Sequence, residues 1–215
     1  MDCMPSWKSK RRVLVSGTTG WIAGGVAQQL VAVGHDVTGI ARRPTQIEGV
    51  KSLQADLLSA EALAVIGKEP KFDTLLHLAG SLGWDGEVNG KVVSWPVEPA
   101  TCAASAYKAS APKIFPEDAL CAVAYSDQVD CFVHCAVRAP VRAGLRRIVC
   151  VAPRPYAIDS VPDLIKSWYG EEAAARCDMT YYDNPAHKHH PVYDLGPANA
   201  LGWEPKLDLL ASKGF

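Results

Sequence analysis

Short apolar runs alternate with apolar residues at helical spacing over the first 80 residues. Arg12-Val13-Leu14-Val15-Ser16 reads as a strand. Ile22, Val26, Leu30 and Val33 then recur on one helical face and predict a helix over 21–33, ended by Gly34. A second strand spans Asp36–Ala41 and is stopped by Pro44. A short third strand over Lys51–Gln54 and a helix over Ser59–Ile66, with Ser59 as its cap, come next. The fourth strand, Thr74–Leu78, runs into Ala79-Gly80. Strands separated by helices imply right-handed βαβ units, and so an α/β protein with a Rossmann-like, doubly wound parallel sheet.

The pattern breaks down between Ser81 and Pro116, where glycine, proline and small residues dominate and only Lys91–Ser94 reads as a short strand. Regular patterning returns after Phe115. It predicts a helix over Asp127–Ala139, a strand over Arg147–Ala152, and a helix from the Ser160 cap through Tyr169, closed by Gly170. A last strand over Asp178–Tyr182 and a short helix over Pro197–Leu201 complete the reading.

Composition fits a soluble protein with a real core, at 48% apolar and 21% charged residues among 215. Net charge is −1, so no basic field is available for nucleic acid or an anionic membrane. No apolar run is long enough for a transmembrane helix, and no apolar signal-peptide core follows the basic residues of 1–12. Seven scattered cysteines argue for reduced thiols in the cytoplasm. Cys131, His134 and Cys135 lie at helical spacing without a second ligand pair, and read as packing rather than metal ligands. For His187-Lys188-His189-His190, an extended strand would face His189 and His190 in opposite directions, which again argues against a metal. Tyr181-Tyr182 and Trp168-Tyr169 read as packing residues, and Trp203 as packing the tail onto the body.

The richest local signal is the turn between the first strand and first helix, Gly17-Thr18-Thr19-Gly20-Trp21-Ile22-Ala23. Gly17 permits a sharp turn, Gly20 lets backbone approach a pyrophosphate, and Ala23 lets the helix pack close on the sheet. The helix N-terminus then offers N–H groups and a positive dipole end to the anion. At the tip of the second strand, Ala41-Arg42-Arg43 carries no carboxylate for the ribose 2′-hydroxyl of NAD. Arginine suits a 2′-phosphate by charge and by its fork of donors, which favours NADP over NAD. The competing reading makes Arg42 and Arg43 ordinary solvated charges.

Val15–Ala23, Asp56-Leu57 and Leu76–Gly80 resemble the opening half of the NAD(P)-dependent epimerase/dehydratase family, the extended branch of the short-chain dehydrogenase/reductase superfamily. Ser126–Asp130, Val151–Pro155 and Ala200–Pro205 are similar to segments of its closing half, the last to an "LGW-x-P" signature. The resemblance covers about 12–80 and 120–208. It implies a cofactor domain over 12–116 after an N-terminal tail, 1–11, and C-terminal elements with a small substrate lobe over 117–215. It further implies that Gly17, Thr19, Gly20, Trp21 and Ile22 line the cofactor phosphates. Asp56 and Leu57 would sit beside the adenine, and Ala79 and Gly80 beneath the nicotinamide-side ribose. The expected activity is NAD(P)-dependent oxidoreduction or epimerisation of a sugar nucleotide or small carbonyl or hydroxyl compound, by a monomer or homodimer with no nucleic-acid or membrane partner.

The family's chemistry uses a tyrosine acid/base, a lysine four residues on that lowers its pKa, and an upstream hydroxyl. The comparable tyrosine is Tyr107, with Ser94 thirteen residues before it as the hydroxyl partner. The lysine position, however, holds Ala111, and the stretch from Gly80 to Phe115 is short for the family. Three readings stay open: an active oxidoreductase, a non-catalytic NAD(P)-binding regulatory protein, and a degenerate relative.

Overall fold

The computed structural model describes residues 9–79, 96–97, 119–120 and 122–211. The chain divides into two compact units, Met1–Asn89 with Phe132–Ala139, and Gly90–Cys131 with Pro140–Phe215.

The first unit is a parallel α/β layer. Its elements are β1 (Arg12–Ser16), α1 (Trp21–Ala32), β2 (Asp36–Ala41), β3 (Val50–Gln54), α2 (Ala60–Gly67) and β4 (Thr74–His77). The four strands form one parallel sheet in the order β3-β2-β1-β4. This is the α/β, Rossmann-like architecture expected from the alternation. Val13, Leu14 and Val15 of β1 and Val37, Ile40 and Ala41 of β2 are buried, whereas β3 and β4 at the edges alternate with exposed positions. That gradient follows from covering both faces of a parallel sheet at its centre. Helix α1 contributes Ala23, Val26, Ala27 and Leu30 to the same core.

Local chemistry sets the element ends. After α1, Gly34 at φ +91° takes the left-handed turn. Its N–H donates to Val31 O, and that of His35 to Leu30 O, closing the helix in the manner of a Schellman cap. Ser59 stands at the N-cap of α2 as expected, but its side chain makes no capping bond. Asp56 acts there instead, its Oδ1 accepting the Leu58 N–H and its carbonyl the Ser59 N–H. Burial, reinforced by the Arg11 charge and partly offset by Asp36, holds the His35 imidazole below its ordinary pKa.

In the second unit, β5 (Pro96–Val97) pairs in parallel with β6 (Val123–Ala124), and α3 (Tyr125–Val133) follows directly. The remaining helices are α4 (Val161–Tyr169), α5 (Glu171–Ala175) and α6 (Gly196–Asn199). Ala124, Ala152, Tyr156, Leu164, Leu209 and Leu210 share one core cluster. Ser160 caps α4 by accepting the Asp163 N–H, and Gly170 ends it, both as expected.

The tail is clasped by α3. The buried Asp127 carboxylate accepts the N–H groups of Lys206 (2.9 Å) and Leu207 (2.8 Å). Asp130 accepts from Trp203 Nε1 (3.2 Å) and Lys206 Nζ (3.1 Å). Two motifs read separately in the sequence, Ser126–Asp130 and Ala200–Pro205, are therefore partners.

Several expectations are corrected. The helix over 127–139 is α3 followed by a wider, π-helical turn at His134–Arg138. Arg147–Ala152 forms no strand: Ala152 N–H donates to Ala122 O, but no ladder continues along the run. The strand over 178–182 is a tight turn at Thr180–Asp183, because Asp178 Oδ1 captures both the N–H and the hydroxyl of Thr180. Those bonds also hold the Asp178 carboxyl below its usual pKa. A second tight turn, Pro185–His187, replaces the extended segment assumed for the histidines, and His187 stacks on both Tyr181 and His190. Tyr181 and Tyr169 are exposed rather than packed inside, while Trp203 is buried as expected.

Candidate functional site

The four strands are parallel, so their carboxyl ends share one edge of the sheet. β1 ends at the glycine turn, β2 at Arg42-Arg43, β3 before Asp56-Leu57, and β4 before Ala79. The strand order reverses direction between β1 and β4, which places the glycine turn at the topological switch point. Ligands of open α/β sheets bind there.

At that turn, Gly17 has φ +79° and donates its N–H to Ile40 O at 2.8 Å. A Cβ on Gly17 would stand 2.8 Å from Ala79 Cα, so the glycine also lets the exit of β4 pass close by. Gly20 donates to Gly17 O at 2.7 Å and is the N-cap of α1, with no side-chain capping bond and no acidic residue in the first turn. Thr19, Gly20 and Trp21 are exposed, whereas Ala23 is buried against the sheet. The turn thus has bare backbone, an uncapped helix start and no negative charge, which fits the pyrophosphate of a dinucleotide.

Ser16 was not singled out by the sequence pattern, yet it fastens this edge. Its buried Oγ accepts the N–H groups of Leu78 (3.0 Å) and Ala79 (3.1 Å) and lies 2.9 Å from His77 Nδ1. The signal available in the sequence was a serine as the last residue of a strand that enters a glycine turn.

Arg42 and Arg43 are exposed at the tip of β2, and neither forms an ion pair among the described residues. Asp56 lies at the exit of β3 with its carboxylate engaged by Leu58 N–H, and Leu57 beside it is half-buried. The structure therefore brings Gly17, Thr19, Gly20, Trp21, Ile22, Arg42, Arg43, Asp56, Leu57 and Ala79 to one edge. Gly80, Ser94 and Tyr107 lie outside the described residues, as does the expected strand over 91–94. Among the described residues no group of three His, Cys, Asp or Glu is placed to hold a metal ion.

Comparison with known families matches residues 13–94 to the NAD dependent epimerase/dehydratase family. Over that stretch the chain is similar to the epimerase/dehydratase family. The match begins in β1 and runs through the glycine turn, the tips of β2 and β3, and β4, so it spans every described member of the site. Tyr107 lies beyond it. No curated protein matches the chain. The match over 13–94 points to a nicotinamide cofactor and supports an NAD(P)-binding, oxidoreductase-like function. No helix among the described residues is long and apolar enough to cross a membrane.

Proposed function

We propose that this chain is an NADP-dependent oxidoreductase of the epimerase/dehydratase type, acting on a sugar nucleotide or another small carbonyl or hydroxyl compound. The observation that carries the reading is the convergence of the uncapped glycine turn and the Arg42-Arg43 tip, which forms no ion pair among the described residues, on the carboxyl edge of one parallel sheet. A 2′-phosphate would give the two guanidinium groups an anionic partner. The nicotinamide, when bound, supplies hydride acceptance or donation at a substrate carbon. On the protein side, Tyr107 is the acid/base that moves a proton at the substrate oxygen, and Ser94 polarises that oxygen. We assign the protein to the cytoplasm on its seven scattered cysteines, which follow no disulfide framework in the sequence.

A second reading, a non-catalytic NADP-binding protein, is favoured by one specific feature: Ala111 stands where the family's lysine belongs. In the family that this stretch resembles, the lysine is the cation that lowers the tyrosine's pKa. Titration with NADPH and NADH, followed by a panel of carbonyl substrates, separates the readings. Tight NADPH binding with turnover that Tyr107→Phe abolishes supports the enzyme. Binding without turnover supports the second reading. A folded protein that binds neither nucleotide excludes both.

A further inference from the structure

Thr18 sits inside the glycine turn, between the two glycines, yet its side chain points inward. It is 3% exposed, and its hydroxyl bonds to the hydroxyl of Thr45, beyond the tip of β2. Gly39 on β2 makes the room: a Cβ there would stand 2.7 Å from Thr18 Oγ1 and 2.8 Å from Cγ2. Thr45 is fastened a second time, its N–H donating to Ser52 Oγ at 2.9 Å. At the other end of the excursion, Ala41 O accepts the Ala55 N–H at 3.0 Å, and Arg42 O accepts from Gln54 Nε2 at 3.1 Å. The five residues from Ala41 to Thr45 are thus tied at both ends, to the exit of β3 and to the glycine turn. Between the ties stand the two exposed arginines and Pro44, whose ring fixes its φ.

We infer that Thr18 and Thr45 are positioning residues for the 2′-phosphate of NADP. Through them the glycine turn, which meets the pyrophosphate, holds the arginine loop in register with the ligand's second anionic group. The inference rests on the NADP reading above. Its physical content is preorganisation: a loop already ordered in the free protein does not lose conformational freedom when the phosphate arrives. Neither threonine needs to touch the cofactor. NADH carries no 2′-phosphate, so loosening the brace costs it nothing at the arginines.

Thr45→Val keeps the side-chain shape and removes the hydroxyl, and Thr45→Ser keeps the hydroxyl. NADPH, NADH and the fragment adenosine 2′,5′-bisphosphate are titrated against the wild type and both variants. The expected result is weakening of NADPH and of the bisphosphate by about fivefold to tenfold in Thr45→Val, the size of one net hydrogen bond. NADH affinity stays unchanged, and Thr45→Ser restores the preference. Equal weakening of NADPH and NADH, or no change in either, overturns the brace while leaving the NADP reading intact. A wild type without preference for NADPH overturns the NADP reading and the brace together. If Thr45→Val does not fold, Ser52→Ala at an exposed position releases the same loop from its other tie. Loss of NADPH affinity alone supports the inference there, and unchanged NADPH affinity overturns it.

Discussion

At Gly17 two separate demands fall on one residue, a positive φ and a close backbone neighbour. An alanine there carries the left-handed conformational cost of about 1–2 kcal/mol. Its Cβ also presses on Ala79 Cα at 2.8 Å and Ala79 N at 2.9 Å, backbone atoms that cannot swing away. Gly34 isolates the first demand, since it has φ +91° and nothing within reach of an added Cβ. Gly17→Ala is therefore expected to lower the urea midpoint by more than Gly34→Ala and to abolish NADPH binding, which Gly34→Ala retains. Equal losses in the two variants would show that the contact with Ala79 is unimportant. His35 makes a different residue-scale prediction. Its folded pKa lies below the usual 6.5, so on acidification the unfolded chain takes up the proton first. The contribution of neutral His35 is complete above about pH 7, and is lost as pH falls through 6.5 toward the folded pKa. Urea midpoints measured from pH 8 to pH 5 should decline, and His35→Asn should remove part of that slope.

The element most dependent on a few polar atoms is the tail, held to α3 by two buried carboxylates. Asp127→Ala removes the acceptor of the Lys206 and Leu207 N–H groups, a loss of about 0.5–1.5 kcal/mol for each net hydrogen bond. Limited proteolysis should then cut near Lys206, where the wild type resists. Asp130→Asn should cost less, because an amide oxygen still accepts from Trp203 and the lost ion pair involves an exposed lysine. The sequence showed both halves of this clasp as motifs but not their pairing, since a pairing across more than 70 residues leaves no local pattern. From β1 to β4 the local pattern was sufficient. Apolar runs between Gly34, Pro44 and Gly80 gave element bounds within about one residue of those observed, because strand burial and helix periodicity there agree with the tertiary packing. Arg147–Ala152 shows the limit: an apolar run becomes a strand only where a partner edge extends alongside it. Residues 178–182 show another, since the Asp178 side chain offered Thr180 a local bond that outcompeted an extended backbone. At the site, the glycines, arginines and Asp56 were legible as residue types. Ser16, Thr18 and Thr45 were not, because hydroxyls that bond inward look in a sequence like any other polar turn.

For the whole molecule, the sheet order is what turns scattered residues into a site. Residues 17, 42, 56 and 79 are far apart in the chain and meet only because β1 to β4 run in the same direction. A ligand that spans them binds the folded sheet and not the unfolded chain, so it must stabilise the fold by mass action. NADPH at a hundred times its dissociation constant contributes about 2.7 kcal/mol. For a chain of this size that corresponds to a rise in melting temperature of about 5–10 °C. If NADH binds tenfold more weakly, the same concentration contributes about 1.4 kcal/mol and roughly half the shift. Hydrogen exchange should locate the effect, with added protection at the amides of 17–22, 41–43, 45 and 79 and little change in 160–211. Stabilisation by NADPH with protection confined to the sheet's carboxyl edge meets the proposal at its own scale. Protection elsewhere places the nucleotide somewhere other than the switch point, and the reading of the glycine turn falls with it.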